Sequence, residues 1–593
     1  MSSQGKLPAL GAILSTFGIL CAPSAPSAAA TSTPAFIVTL ARGVATQAHT
    51  TAEQPPSEVL DGRVYVIVSR QADMEPRLQG PPGMDTGAAP IWGIDVDGVQ
   101  TGSRIELRRD DPGIYGFPLA SLQDLSDGQY FVQAFMNVYE TFRRSDGSVV
   151  KLHMPCGDGH RIMWSTGNIY SDVKKVSVSH GGEPIELELA HVIPPHDQTP
   201  PGGTCQQGNS AQSQHIKLMK LKSDRLSRFW GRPMYVAARV ILPADYQDRS
   251  NARYPVILWM DHHPLAYSKD ERHGVSNANF SVFREDGEDS FSRWWLGPDS
   301  PKVIIVEPLS ENPYYDTSYW VNSPNVGPYG DVLIQELIPE LNRRFRTINA
   351  SWARTLTGCS SGGWMAAAAQ VWNPDQFGGA FVFAPDIVDL RSLWLMNLYE
   401  EKNAYWNQTE WRQWARPYFR DNFGNTIATE GDWAHLELAM GTKDRSGEYF
   451  DWQDATWGPQ GTDGYPLPRW NPLTGEVDHG AVQQYRKYDL AEYLEGNWAT
   501  VEPKLRGSRL QFFVTEDDNY YTNLALHRLQ QRLEKLTPAP DAQFSYFTSG
   551  GHCHSPITNE RLLELMTKFM TEHSSGGVKA AADSATPKGT TKH

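Results

Sequence analysis

The chain has 593 residues and a net charge of −15, and its charges are spread without a basic stripe. This length exceeds one hydrophobic core, so we expect two domains or one large domain with an addition. The charge argues against nucleic acid or an anionic membrane as a partner and favours a small or neutral molecule. We recognise no cofactor motif and expect no cofactor.

Residues 1–30 have the features of a secretory signal peptide. They combine an early lysine, Lys6, with an apolar run that ends at Cys21 and small residues at Ala28 to Ala30. The apolar run is too short to span a bilayer. Lipid attachment at Cys21 is disfavoured because Leu20 stands where a small side chain is needed. The sequence predicts a secreted or periplasmic protein without a transmembrane segment.

Four cysteines remain after removal of such a leader, which are Cys156, Cys205, Cys359 and Cys553. An even number in an exported chain indicates disulfide pairing, and four cysteines allow three connectivities. Cys156 and Cys205 lie on either side of the last strands predicted for the N-terminal part. They are close enough in sequence to form one candidate disulfide.

The N-terminal part is predicted to be all-β. Residues 31–62 are rich in Ala, Thr and Pro and are predicted as a linker with one edge strand at 36–40. Residues 63–192 contain short strands separated by Asp-Gly and Gly-Gly turns, which is typical of an antiparallel, sandwich-like domain. The predicted strands are 63–69, 92–96, 105–108, 129–139, 174–179 and 185–189. They carry no catalytic constellation, so we favour a structural module over an independent ligand-binding domain.

A second domain is predicted for residues 225–573, after a linker at 193–224. Apolar strands alternate there with amphipathic helices, which predicts a doubly wound, mostly parallel sheet of the α/β class. The alternation stops at about 387–506, where tryptophans are frequent, and this indicates an inserted cap over the carboxyl end of the sheet. The tryptophans form the core of the cap or face the substrate. Residues 574–593 are predicted to be a disordered tail.

The strongest motif is Gly358-Cys359-Ser360-Ser361-Gly362. It follows a short β-branched segment and leads into an alanine-rich helix, as the G-x-S-x-G nucleophile elbow requires. A glycine-rich surface turn would give the same letters. In α/β-hydrolases the acid and the histidine follow the serine in that order. An acidic turn with Asp517 and Asp518 follows a predicted strand at 510–514, and a loop with His552 and His554 follows another at 543–547, so a serine hydrolase is favoured.

Residues from about 225 to 552 resemble the putative esterase family of α/β-hydrolases, the group around esterase D, enterobactin esterase and feruloyl esterases. The matching segments are Tyr254-Pro255-Val256-Ile257, Tyr329-Gly330-Asp331, Glu336-Leu337-Ile338-Pro339, the elbow with Gly363, and Asp518-Asn519-Tyr520-Tyr521. The resemblance implies an ester-cleaving triad of Ser360, Asp518 and His552.

Two choices within that triad rest on the family pattern. Asp518 is favoured over Asp517 because the family's acid is followed by one variable residue and then by aromatic residues. His552 is favoured over His554 because it directly follows a Gly-Gly turn.

The oxyanion loop departs from the family pattern. Family members commonly carry a His-Gly-Gly type loop, whereas this chain has Asp261-His262-His263-Pro264. The backbone N–H of Ser361 remains as one oxyanion donor, and the second is expected from His262 or His263. These residues and His273 show no spacing that is diagnostic of a metal site, so we predict no metal.

Cys359 and Cys553 directly neighbour the predicted nucleophile and the predicted base. Tannases and a group of feruloyl esterases show a similar Cys-Ser and His-Cys arrangement joined by a disulfide, although the rest of this chain does not resemble theirs. The resemblance implies a Cys359–Cys553 disulfide. The alternative is that Cys359 fills the elbow as a small side chain and Cys553 is a free loop thiol.

The predicted function is that of a secreted serine carboxylesterase that hydrolyses a small-molecule ester through an acyl-enzyme. One alternative is an acyltransferase, in which an alcohol replaces water. Another is a non-catalytic protein that binds a surface or a carbohydrate. The sequence leaves the natural ester and the oligomeric state open.

Overall fold

A computed structural model describes residues 34–79, 89–153, 162–195, 198–209, 212–261, 290–448 and 452–574. Several predictions fall outside these residues. They are the signal peptide at 1–30, the tail from residue 575 onward, Cys156, His262, His263 and His273.

Ten strands of the N-terminal part form one sheet in the order β4-β1-β10-β8-β6-β2-β3-β5, with β7 and β9 paired to the long strand β6. Their bounds are β1 Pro34–Leu40, β2 Leu60–Ser69, β3 Ile91–Val99, β4 Arg104–Arg108, β5 Tyr115–Phe117, β6 Gly128–Arg143, β7 Val149–Leu152, β8 Ile169–Ser171, β9 Lys174–Val178 and β10 Ile185–Val192. Phe36 and Val38 of β1 share one buried core with Val64 and Val66 of β2. Because three strands separate β1 from β2, the sheet must curl over that core.

The first segment of the chain corrects two predictions. Strand β1 pairs in parallel with β10 and antiparallel with β4, so it is an interior strand and not an edge strand. Residues 31–62 are also not a linker, because they contain β1, helix α1 at Val44–Thr51 and the start of β2. The parallel partner of β1 lies far downstream in the chain. Local composition therefore gave no sign that Phe36 and Val38 are buried.

The second sheet has eight strands in the order β11-β12-β14-β13-β17-β18-β23-β24. Strands β11, β12 and β14 pair antiparallel, and the strands from β14 to β24 pair in parallel. The bounds are β11 Ile216–Ser223, β12 Met234–Ile241, β13 Val256–Met260, β14 Ile304–Leu309, β17 Arg354–Ser360, β18 Gly379–Pro385, β23 Leu510–Thr515 and β24 Gln543–Phe547. Strand β11 shortens the predicted linker at 193–224. Its lysines at 217, 220 and 222 suit a sheet edge but reduce its apolar signal.

The helices of this α/β part alternate with its strands as predicted, and the insertion has helices of its own. Their bounds are α2 Asp224–Trp230, α3 Ser290–Trp295, α4 Tyr329–Val332, α5 Ile338–Arg344, α6 Ser361–Trp372, α7 Glu430–Met440, α8 Trp452–Trp457, α9 His479–Tyr485, α10 Leu490–Leu505, α11 Thr522–Leu533 and α12 Asn559–Glu572. A π-helical segment, Leu333–Leu337, joins α4 to α5. None of the helices in the described ranges is long and apolar enough to cross a membrane.

Helices α7 to α10 and two hairpins form the insertion between β18 and β23, which we call the cap. The hairpins are β19 Trp406–Gln408 with β20 Gln413–Ala415, and β21 Pro417–Arg420 with β22 Thr426–Thr429; a smaller pair, β15 Asn322–Ser323 with β16 Gly327–Pro328, precedes α4. Some tryptophans of the cap are buried, as expected for the core of the cap, and others are exposed. Trp394, Trp433, Trp457, Trp470 and Trp498 are buried, whereas Trp406, Trp411 and Trp414 on the first hairpin are exposed.

The N-terminal sheet packs against the cap through buried polar side chains. Arg63 of β2 is fully buried and donates to the carbonyl oxygens of Leu438, at 2.7 Å, and Ala439, at 3.2 Å. The hydroxyl of Tyr65 donates to the carbonyl oxygen of Met440. The last carbonyls of a helix have no partner within the helix. The N-terminal sheet thus satisfies the carboxyl end of α7.

Candidate active site

The elbow places Ser360 at the carboxyl edge of the second sheet. Strand β17 ends at Ser360, which has φ 56° and ψ −124°, and α6 begins at the next residue. A left-handed φ is uncommon for a non-glycine residue and is found at functional turns. A Cβ atom added to Gly362 or Gly358 would lie 2.0 Å or 2.3 Å from the carbonyl oxygen of Met260. The close approach of β13 therefore explains why glycines flank the serine.

Asp518 and His552 meet beside the elbow. Nδ1 of His552 lies 2.7 Å from Oδ2 of Asp518, and the Asp518 side chain is fully buried. The other carboxylate oxygen accepts hydrogen bonds from the backbone N–H groups of Tyr520, at 3.0 Å, and Thr522, at 3.1 Å. These contacts fix the carboxylate and leave Nε2 of His552 as the ring nitrogen available for chemistry.

Asp517 and His554, the other candidates for the acid and the base, do not take part in this contact. The carboxylate of Asp517 accepts hydrogen bonds from the backbone N–H groups of Gly550, at 3.1 Å, and Gly551, at 3.0 Å. His554 is exposed, whereas the His552 side chain is 14% exposed. Asp517 therefore braces the loop that carries the histidine, and Asp518 is the aspartate that contacts its ring.

Asp518 and His552 each favour the charged form of the other. Burial disfavours ionisation of Asp518, but the charge and hydrogen bond of His552 and the two backbone donors lower the pKa of Asp518 below its ordinary value. Burial also disfavours the imidazolium, but Asp518, by charge and hydrogen bond, and Asp386, by charge, raise the pKa of His552 above its ordinary value. An ionised aspartate thus faces a histidine with enhanced basicity.

The serine hydroxyl contacts a residue that the sequence did not single out. Oγ of Ser360 donates to Oδ1 of Asp386 at 3.2 Å, and the hydroxyl of Tyr319 donates to Oδ2 of the same carboxylate. Within the described ranges, Nε2 of His552 has no hydrogen-bond partner. Asp386 directly follows β18, and that position was the available signal. Tyr319 lies in an irregular loop, where no sequence pattern indicated it.

A disulfide joins Cys359 to Cys553, with their Cα atoms 5.7 Å apart and a sequence separation of 194. It connects the residue before Ser360 to the residue after His552. A ring nitrogen of His552 lies within 4.8 Å of both sulfur atoms. The sulfurs are bonded to each other, so this cluster offers no thiolate to a metal. Cys205 is also disulfide-bonded, but Cys156 lies outside the described residues, so their pairing stays a prediction.

The cap contacts the turn that carries Asp518. Arg420 of β21 donates to the carbonyl oxygens of Asp518, at 2.9 Å, and Glu516, at 3.0 Å. The ring centre of Tyr520 lies 4.8 Å from that of His552 and 5.0 Å from that of Phe419. Sequence reasoning missed these contacts because Arg420 and Asp518 are 98 residues apart.

Of the two predicted oxyanion donors, one can be placed. Ser361 is the first residue of α6, so its N–H belongs to the helix N-terminus, where the helix dipole favours negative charge. His262 lies outside the described residues. The structure therefore provides the surroundings of the first donor only.

A comparison with family models matches part of the chain to a known family. Residues 230–448 match the sequence model of the family described as "Putative esterase". The matched segment contains Ser360 and Asp386 and ends before Asp518 and His552. A comparison with curated proteins found no match.

Three solved structures illustrate the structural likeness. A ferulic acid esterase has 14% identity and a TM-score of 0.33, covering 60% of this chain and 99% of its own. An S-formylglutathione hydrolase from Agrobacterium tumefaciens has 12% identity and a TM-score of 0.29, covering 62% and 95%. The fluorophosphonate-binding serine hydrolase FphF from Staphylococcus aureus has 13% identity and a TM-score of 0.30, covering 60% and 99%. The family match confirms, over residues 230–448, the resemblance predicted from the sequence, and it supports a carboxylic ester hydrolase with an α/β-hydrolase fold.

Proposed function

We propose that the protein is an exported serine carboxylesterase with Ser360 as nucleophile, His552 as base and Asp518 as the orienting acid. One observation carries this proposal. The Asp518 carboxylate holds Nδ1 of His552 at 2.7 Å, while the Cys359–Cys553 disulfide ties the loop that carries this histidine to the elbow that carries Ser360. A serine hydroxyl becomes a nucleophile only when an oriented base takes its proton.

The reaction follows from these roles. Oγ of Ser360 forms a bond to the acyl carbon as its proton moves to Nε2 of His552. The tetrahedral intermediate then releases the alcohol, which takes that proton from the imidazolium. Water attacks the acyl-enzyme in the same way, giving its proton to His552, and the carboxylic acid leaves as the serine is restored. Asp518 holds Nδ1–H and stabilises the imidazolium in both half-reactions.

The oxyanion of each intermediate needs backbone or side-chain donors. The N–H of Ser361 at the start of α6 is our proposed first donor, since it lies next to the nucleophile at a helix N-terminus. His262 or His263 remains the proposed second donor.

Protonation of His552 sets the acid limit of activity. The neutral imidazole is the form that accepts the serine proton, and the pKa of His552 lies above its ordinary value. Turnover is therefore expected to be full above that raised pKa and to fall as the pH drops through it. The ionised Asp518 keeps its charge throughout this range because its own pKa is lowered.

We also propose that residues 63–192 act as a sandwich-like support for the cap. Their shared buried core and the contacts of Arg63 and Tyr65 with the end of α7 support this role. Export is supported by the signal-like residues 1–30 and by the disulfide, because disulfides persist in oxidising compartments.

Hydrolysis of p-nitrophenyl acetate by the wild-type protein and by Ser360→Ala tests the proposal. We expect kcat of the variant to fall by roughly 10⁴ to 10⁶, with an unchanged circular dichroism spectrum, because the triad acts as a unit. A panel of esters that differ in the acyl or the alcohol part then narrows the substrate. Wild-type turnover in the variant, or an inactive wild type across the panel, would refute the proposal.

A further inference from the structure

Two carboxylates, not one, stand at the carboxyl edge beside the nucleophile. Asp518 follows β23 and contacts the histidine, whereas Asp386 follows β18 and contacts the serine. In the described part of the chain, the Ser360 hydroxyl donates to Asp386 while Nε2 of His552 is buried without a partner. The Ser360 hydroxyl is therefore hydrogen-bonded to Asp386, a carboxylate that has no role in the proposed triad.

The surroundings of Asp386 hold it firmly in place. Its backbone N–H donates to the carbonyl oxygen of Ser360 at 3.0 Å, and Tyr319 donates to its second carboxylate oxygen. Tyr319 is buried, and its ring centre lies 5.2 Å from that of Trp364 and 5.0 Å from that of Trp457. The hydrogen bonds from Ser360 and Tyr319 and the backbone hydrogen bond to Ser360 thus hold Asp386 against the elbow, and aromatic packing holds Tyr319 in place.

Backbone strain collects around the same group. Tyr319 has φ 53°, Trp320 has φ 51° and Ala384, two residues before Asp386, has φ 32°. Left-handed backbone is unfavourable for non-glycine residues and persists where the surrounding structure imposes it, often at functional sites. Both segments that meet at the Asp386 carboxylate are therefore held in costly conformations.

Among the described residues, few charged or titratable groups act on His552 and Asp386. Asp518 and Asp386 both act on His552, and Tyr319, His552 and the hydroxyls of Ser361 and Ser360 act on Asp386. Tyr418 of the cap also faces Asp386. Burial raises the pKa of Asp386 above its ordinary value, and its hydrogen bonds and the charge of His552 offset this rise only in part.

We propose that Asp386 is a positioning residue that holds the Ser360 hydroxyl in the free enzyme and then faces the imidazolium of His552 as a second carboxylate. This rests on the proposed function. When the ester binds, the serine hydroxyl turns from Asp386 to Nε2 of His552. Its proton moves to His552, its oxygen bonds the acyl carbon, and Asp386 forms no covalent bond and takes no proton. The negative charge of Asp386 then stabilises the imidazolium from the serine side.

Asp386→Asn tests this most sharply, because asparagine keeps the size and an acceptor oxygen but removes the charge. We expect the acid limb of the kcat/KM profile to move down by roughly 0.5 to 1 pH unit. We also expect kcat to fall about three- to tenfold with KM within about twofold, since one pKa unit corresponds to a tenfold effect. Glu516→Gln is the matched control, because Glu516 lies on the neighbouring turn and contacts His527 instead, at 3.1 Å.

Tyr319→Phe is the second variant, and it keeps the aromatic packing while removing the donor to Asp386. Loss of that donor raises the pKa of Asp386 and weakens its charge, so the acid limb should move the same way by a smaller amount. Folded variants of both kinds with wild-type acid limbs and wild-type kcat would overturn the proposal. The triad assignment would survive that result, since it depends on wild-type turnover and its loss in Ser360→Ala.

Discussion

The carboxyl edge of the second sheet and the interface between the N-terminal sheet and the cap are built in opposite ways. At the edge, each residue of the proposed triad stands at the end of a strand or in the loop that follows it, and the Asp518 carboxylate is held by backbone N–H groups two and four residues further along the chain. At the interface, Arg63 reaches a carbonyl 375 residues away. Local turns thus position the Asp518 carboxylate, whereas contacts between distant segments hold the N-terminal sheet against the cap.

This difference explains why the N-terminal part is integral to the fold. Arg63 is fully buried and pairs with Asp95 at 3.2 Å, and Asp95 pairs with Arg445 of the cap segment at 2.7 Å. A buried charge without its partner is strongly destabilising. Removing the N-terminal sheet would leave Arg445 without Asp95 and the end of α7 without its donors, so the cap is expected to be stable only together with the sheet.

The β21–β22 hairpin connects the two regions. Strand β22 leads directly into α7, whose carboxyl end contacts Arg63, and Arg420 of β21 contacts the turn that holds Asp518. The N-terminal sheet is therefore linked to the triad through packed elements.

The largest effect should come from the edge. Asp518→Asn is expected to lower kcat by about 10⁴, because the amide favours the wrong histidine tautomer. Asp517→Asn should lose less than about tenfold, since an amide oxygen still accepts from the loop that carries His552. Steady-state kinetics on one aryl ester compare the two variants. The reverse ranking would transfer the role of acid to Asp517.

The disulfide should give the next largest effect because it ties two distant strand ends together. Replacing Cys359 and Cys553 with serine opens a loop defined by a sequence separation of 194. The chain-entropy model gives a loss of about 5 kcal/mol in the free energy of unfolding. Urea unfolding measures it, with Cys205→Ser as the comparison. An unchanged urea midpoint in the double variant would contradict a structural role for this bond.

At the interface, Arg63→Ala should destabilise the protein by about 3 to 5 kcal/mol, because it breaks the buried ion pair with Asp95 and removes the donor to the carbonyl oxygens of Leu438 and Ala439. Arg104→Ala is the matched control on the same sheet. Arg104 is 53% exposed and pairs with Glu186 at 3.6 Å, so its loss should change stability by less than about 1 kcal/mol. Equal thermal shifts in the two variants would show that the interface carries no special stability.

Sequence predicted most of the second sheet and little of what surrounds it. The elbow, the Asp518 turn and the His552 loop were readable because each follows an apolar strand and has its own turn residues. Strand β1 was misassigned as an edge strand because its partner β10 lies far downstream. Asp386 was not distinguished from any other polar residue after a strand, since its importance depends on Tyr319, 67 residues earlier in the chain.

The central claim is that Ser360 carries the acyl group during turnover. Rapid acid quenching of the wild-type protein with p-nitrophenyl acetate, followed by digestion and peptide mass mapping, tests it directly. We expect an acetyl group on the peptide that contains Ser360, and none on the corresponding peptide of Ser360→Ala. A protein that turns over the ester but carries the acetyl group on another residue would contradict the account.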